Sequence, residues 1–210
     1  MDYSKTQGLL FLVSAPSGAG KSSLVHDLIA HDPEVHLSIS FTTRGIRPGE
    51  KNGVDYHFIS KEEFEERKEN GEFLESAFVH GNYYGTSRLW IEKELAAGHD
   101  VMLEIDWQGA FQVKKVFPQV ISTFILPPSI DALKQRLVGR GTDAPEVIAR
   151  RLAGAGAEIV HAPHFDYVII NADFNQASCE LQSIIRASRL RFACQAKRQK
   201  ALFAALGVPA

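Results

Sequence analysis

Cysteine is scarce in this chain: there are two in 210 residues, Cys179 and Cys194. Both fall where the apolar spacing predicts one long helix, on which their separation spans roughly 22 Å, beyond disulfide reach. That excludes a disulfide framework and leads us to expect reduced thiols in a cytoplasmic protein. Long apolar runs are also lacking, and none approaches the ~20 residues of a membrane span. The N-terminal apolar run is short and leads into a glycine-rich loop, so it does not read as a signal peptide. Charge of one sign is lacking too. Lys and Arg number 23 against 25 Asp and Glu, a net −2, which gives no global attraction to nucleic acid or to a membrane surface. With no repeat, low-complexity tract or long linker, the length suits one domain with room for inserted subdomains.

What is present begins with Leu9-Leu10-Phe11-Leu12-Val13, a short apolar run that predicts a buried strand. It enters Ser14-Ala15-Pro16-Ser17-Gly18-Ala19-Gly20-Lys21-Ser22-Ser23, followed by Leu24, Val25, Leu28 and Ile29 at helical spacing. Strand, glycine-rich loop, Gly-Lys-Ser and helix form the context of a phosphate-binding P-loop. Gly18 and Gly20 allow a tight turn and a close backbone approach. The loop amides and the helix end attract phosphate. Lys21 carries charge to the β- and γ-phosphates, and Ser22 offers a hydroxyl to Mg2+. Ala15 stands where the general pattern has its first glycine.

Proline ends the first unit near His31-Asp32-Pro33. From about 36 to 88 the pattern is of short strands around one helix, an inserted antiparallel or mixed unit. Strands are expected at Val35–Phe41, Val54–Ile59 and Phe73–Val79, a loop from Thr42 to Gly53, and a turn over Gly81–Ser87. Ser60 to Asn70 predicts a helix with a reciprocal capping box between Ser60 and Glu63. The α/β rhythm then resumes: buried strands at 101–106, 120–126 and 167–170, with helices at 108–117, from Ser129 through Leu137, at 145–159, and from about Asn175 onward. On that last helix Arg186, Arg189, Arg191, Lys197, Arg198 and Lys200 read as a solvated face rather than a nucleic-acid patch.

Three constellations bear on a second substrate. Arg44 and Arg47, beside Gly49, Gly53 and Tyr56, either fork onto a monophosphate or stand as solvated loop charges. Glu75, with the Gly81–Ser87 segment, is either a strand-end surface carboxylate or an acceptor for the two donors on guanine's N1/N2 edge. A carboxylate unpaired opposite adenine would discriminate by ~10⁴-fold. Glu104 and Asp106 close a buried strand on one face, where a P-loop enzyme places an acid near Mg2+. Asp106 also suits a helix cap. Arg136, Arg140, Arg150 and Arg151 bracket a glycine break and suit either a mobile lid or surface ion pairs.

Taken together, the P-loop, Thr42-Thr43-Arg44 with Arg47-Pro48-Gly49-Glu50, Gly81-Asn82-Tyr83-Tyr84-Gly85-Thr86-Ser87, and Ile105-Asp106-Trp107-Gln108-Gly109 resemble the guanylate kinases of bacterial type, in order, from about residue 8 to 171. The resemblance implies an α/β P-loop NTPase fold, with a mostly parallel sheet flanked by helices. It implies a core of residues 1–35, 89–135 and 158–210, a GMP-binding subdomain of 36–88 and a helical lid of 136–157. It implies Mg2+-dependent transfer from ATP to GMP or dGMP. Ala15, Pro16, Ser17, Gly18, Ala19, Gly20, Lys21, Ser22, Ser23 and Asn171 would then hold ATP. Arg44, Arg47, Tyr56 and Tyr84 would grip the GMP phosphate, and Ser40, Glu75, Thr86 and Glu104 would read guanine. Asp106, with Ser22, would organise the metal, and Arg136, Arg140 and Arg151 would close on the phosphates. Phe41 stands where many relatives have histidine, and Glu104 where Asp is frequent. Nucleic acid and membranes are not among the implied partners, and homo-oligomerisation is left open. The rival readings are a peptide-binding scaffold with a decayed nucleotide site, which the intact Lys21, Ser22 and Asp106 oppose, and a kinase of another phosphorylated acceptor.

Overall fold

The computed structural model describes residues 8–79, 81–139 and 145–209. Its elements are β1 (Leu10–Ser14), α1 (Lys21–His31), β2 (Val35–Leu37), β3 (Phe41–Thr42), β4 (His57–Phe58), α2 (Lys61–Glu69), β5 (Phe73–Val79), β6 (Asn82–Ser87) and α3 (Arg88–Ala97). There follow β7 (Asp100–Glu104), α4 (Trp107–Val116), β8 (Ile121–Leu126), α5 (Ile130–Gly139), α6 (Pro145–Ile159), β9 (Tyr167–Ile170), α7 (Phe174–Arg189), α8 (Phe192–Arg198) and α9 (Lys200–Ala205).

Five strands form a parallel sheet in the order β2-β7-β1-β8-β9. Every residue of β1 is buried because the strand is central and covered on both faces. Leu10 and Leu12 enter a core with Leu95, Leu103, Val113 and Phe124 on one side of the sheet. Phe11 and Val13 enter another with Leu24, Leu28, Met102 and Leu181 on the opposite side. The alternation of one strand thus supplies two layers of core. A separate cluster of Leu133, Leu137 and Ala155 joins α5 to α6.

The inserted unit is a mixed sheet in the order β4-β3-β6-β5. The expected strand over 35–41 is two strands in two sheets: β2 lies in the large sheet and β3 in the small one, with 38–40 crossing between them. The 54–59 strand shrinks to β4, preceded by a bridge between Asn52 and Tyr56. Gly81–Ser87 is mostly strand β6 rather than turn. It pairs with β5 along its length, and cross-strand contacts such as Phe78 on Tyr83 (4.9 Å) stabilise that pairing. Ser60 caps α2 by accepting from the Glu63 amide at 3.1 Å, but the Glu63 carboxylate turns to Arg67 (2.8 Å) instead of completing the box.

The long C-terminal helix is broken. Arg191 is extended (φ −55°, ψ 138°), so Cys179 lies on α7 and Cys194 on α8, both as free thiols. The basic face is only partly solvated. Arg189 pairs with Asp32 (2.6 Å) and Asp100 (2.7 Å), and Arg198 with Asp100 (2.6 Å). Folding the chain back at 190–191 lets both arginines reach one buried carboxylate. Among the described residues no helix is long and apolar enough to cross a membrane.

Candidate active site

The carboxyl ends of β1 and β7 open onto a cavity of about 430 Å3. In an open parallel sheet this crevice is where ligands bind. One wall is the P-loop, from Ala15 to Gly18 with Gly20, Lys21 and Ser22. The amide of Ala19 donates to the Pro16 carbonyl at 3.1 Å, which closes the turn. Gly20 has φ +97°, and a Cβ there would lie 2.3 Å from Asn171 Nδ2. Asn171 donates to the Ala19 carbonyl at 2.8 Å, and Arg136 donates to the Asn171 carbonyl at 2.7 Å. Asn171 and Arg136 therefore buttress the loop from behind and do not line the cavity. Ala19 and Ser23 do not line it either: Ala19 is buried and Ser23 faces solvent.

Lys21 Nζ donates to the Ile105 carbonyl at 3.0 Å, and the Ser22 hydroxyl donates to the Glu104 carboxylate. These bonds tie the start of α1 to the end of β7. Asp106 caps α4, taking the Gly109 amide at 2.9 Å, while its carboxylate still faces the cavity. Glu104 thus sits beside the expected metal-binding hydroxyl.

Ser40, Arg47, Tyr56, Glu75 and Tyr84 form the opposite wall. Glu75 is 4% exposed and accepts from Thr86 Oγ1 at 2.5 Å. Thr86 is buried behind it rather than on the cavity surface. Burial raises the Glu75 carboxyl to about 7, against the opposing bond from Thr86. A Cβ on Gly109 would stand 2.4 Å from Glu75 Oε2, so only glycine leaves room for this carboxylate at the start of α4. Gln112 secures the same junction, accepting from the Ser76 amide and donating to its carbonyl.

Arg44 is in an adjoining cavity of about 220 Å3, shared with Arg47, Tyr56 and Glu104. It forms a two-pronged pair with Glu50 at 2.7 and 3.0 Å, and its guanidinium lies 5.3 Å from the Tyr56 ring centre. The bond to Arg44 holds the Glu50 carboxyl below the usual range. Burial, with the charge of Glu104, raises the Tyr56 phenol to about 12, so it stays a donor at neutral pH. Arg151 reaches the main cavity from α6, while Arg140 lies outside the described residues.

Sequence reasoning missed Glu158, Gln108 and Phe78, which line the same cavity. Burial raises Glu158 to about 7, with Lys21 opposing. A signal existed: Glu158 follows Arg151 by seven residues and so shares its helix face. The Arg44–Glu50 pair was legible only as two loop residues.

Known proteins match this arrangement. A family model described as "Guanylate kinase" matches residues 7–188. The guanylate kinase of Cupriavidus metallidurans is 58% identical over 201 residues, covering 96% of this chain and 93% of that protein. That of Bordetella pertussis is 56% identical over 210 residues, covering 100% and 98%. The crystal structure of guanylate kinase from Anaplasma phagocytophilum superposes with a TM-score of 0.80 at 34% identity, covering 98% of each chain. With its P-loop, its parallel sheet and its inserted mixed sheet, the chain belongs to the guanylate kinase family and is a nucleoside monophosphate kinase, a phosphotransferase.

Proposed function

We propose that this protein transfers the γ-phosphoryl of ATP to GMP, and to dGMP, giving GDP or dGDP and ADP. The observation that carries the reading is one cavity with the P-loop and Lys21 on one wall and the buried Glu75, backed by Thr86, on the other. As a carboxylate, Glu75 accepts from guanine N1–H and N2–H2, while adenine has no N1 donor to offer. Ser40 and Glu104 complete the base pocket. Arg44, Arg47, Tyr56 and Tyr84 hold the acceptor phosphate. Glu50 orients Arg44 before substrate arrives, and that preorganisation lowers the entropy cost of binding.

The acceptor is a phosphate oxygen, nucleophilic enough that no side chain need take a proton. Catalysis is then positioning and charge compensation. The P-loop amides fix the donor phosphates. Lys21 and Arg151 offset charge as the phosphoryl group moves in line. Closure of the lid would bring Arg136, bonded here to the Asn171 carbonyl, and Arg140 onto the phosphates. Ser22, Glu104 and Asp106 present oxygen donors only, the set that hard Mg2+ takes, and Ser22 and Asp106 would hold that ion. When bound, Mg2+ supplies charge neutralisation on the phosphate oxygens. In this reading residues 36–88 form the GMP-binding unit and 136–157 the lid, on a core of 1–35, 89–135 and 158–210. The free Cys179 and Cys194 go with the reducing cytoplasm.

The test is ADP release from ATP and Mg2+ with GMP, dGMP, AMP, CMP, UMP and dTMP offered singly. Turnover confined to GMP and dGMP is expected. Turnover with another monophosphate would overturn the role of Glu75. GMP binding without turnover would favour a binding module.

A further inference from the structure

Outside the nucleotide cavities, a cluster of three side chains gathers at the edge of the large sheet. His36 lies on the edge strand β2, Glu94 on α3, and His99 in the connection from α3 to β7. His36 Nδ1 is 2.7 Å and His99 Nδ1 2.8 Å from the same oxygen, Glu94 Oε2. The two ring centres are 4.3 Å apart, and the donor atoms all lie within 4.8 Å of one another. We propose that His36, Glu94 and His99 form a binding site for a borderline-soft divalent cation of the Zn2+, Co2+ or Ni2+ class, separate from the Mg2+ used with ATP.

Three ligands of this kind, two imidazole nitrogens and one carboxylate oxygen, with a fourth position left to water, match an open tetrahedral zinc site. Bonds of about 2.0–2.1 Å in a tetrahedron place ligand atoms about 3.3 Å apart. The two N···O separations of 2.7 and 2.8 Å are therefore about half an ångström too short for a metal between them, a gap that a small side-chain rotation supplies. Both imidazoles converge through Nδ1, so in the metal-free protein each presents an N–H to the carboxylate. A metal takes the place of those two hydrogens. The protons move to Nε2, where solvent reaches the rings: His36 and His99 side chains are 37% and 46% exposed. Glu94, 15% exposed, forms the inner wall. The nitrogen-rich set disfavours Mg2+, which demands oxygen, so the two sites select different ions.

Position gives the site a consequence. β2 delivers the chain into residues 38–40 and the small sheet, and α3 starts at Arg88 directly after Ser87, the last residue of that sheet. A cation joining β2 to α3 therefore clamps both crossings between the large sheet and the inserted unit.

The experiment titrates nucleotide-free protein with Co2+, read by its visible d–d bands, and with Zn2+, read by calorimetry. One equivalent is expected at a Kd of about 10 µM or tighter, with tetrahedral Co2+ intensity. At hundred-fold saturation Zn2+ should raise Tm by roughly 5–10 °C. The double variant His36→Gln/His99→Gln should lose at least ~10²-fold in affinity. Glu94→Gln should weaken it while retaining both imidazoles. Because His99 is partly exposed, the single His99→Gln variant serves should the double variant fail to fold. Ser22→Ala/Asp106→Asn, which alters the oxygen set beside the P-loop, should leave the Co2+ spectrum unchanged. Binding that survives loss of His36 and His99, or an absence of Co2+ binding below millimolar concentrations, would overturn the proposal.

Discussion

At the residue scale, Glu75 places selectivity and stability in opposition. Its buried carboxyl titrates at about 7 where the unfolded chain titrates near the ordinary 4.5. Between those values the native state holds a proton that the unfolded state has lost. The contribution of Glu75 to stability is therefore fullest below pH 4.5 and is lost as pH rises through about 7. The guanine recognition we propose for Glu75 needs the opposite form, the carboxylate. Glu75→Gln should raise Tm at pH 8 and lower kcat/KM for GMP by at least ~10²-fold. In the native protein KM for GMP should rise as pH falls below about 7, and that limb should flatten in the variant. Glu158 titrates in the same range beside Lys21, so a limb that persists in Glu75→Gln would belong to it instead. The identity of Glu75 as a candidate was legible in the sequence, but its burial was not. Burial comes from Gly109, 34 positions away, leaving room for Oε2.

At the element scale, the P-loop depends on what stands behind it. Its strand, glycines and helix were readable because each is a local preference acting over a few residues. The buttress was not, because Asn171 and Arg136 come from β9's end and α5. Gly20→Ala meets both constraints at once, a positive φ and an Asn171 amide 2.3 Å from the new Cβ. It should cost about 2–3 kcal/mol of stability in urea unfolding and weaken ATP binding in parallel. The strand β6 failed to show itself for a related reason. Glycine and tyrosine at 81–85 carry turn chemistry locally, and only pairing with β5 and β3 makes them strand.

At the scale of the whole molecule, one acid helps tie the C-terminal helices to the sheet, beside the packing of Leu181 and Ile185 and the Arg189–Asp32 pair. Asp100, 1% exposed, accepts from the Leu9 amide, from Arg189 and from Arg198. Asp100→Ala, at the start of β7, takes an acceptor from Arg198 and from the Leu9 amide, and leaves Arg189 bonded to Asp32. It should destabilise the fold by about 3–5 kcal/mol, read by denaturant midpoint, with turnover at saturating substrate little changed in the protein that remains folded.

What the sequence by itself determined is what short-range physics encodes: the parallel β/α rhythm, the phosphate loop, and which carboxylates and arginines were available for chemistry. The tertiary structure alone decided their pairing. Arg44 meets Glu50, Ser22 meets Glu104, Glu75 is enclosed by Thr86 and Gly109, and Arg189 and Arg198 share Asp100. Periodicity says which face of an element turns inward. It carries no information about which distant residue occupies the facing position, and charge burial and pKa are set by that neighbour.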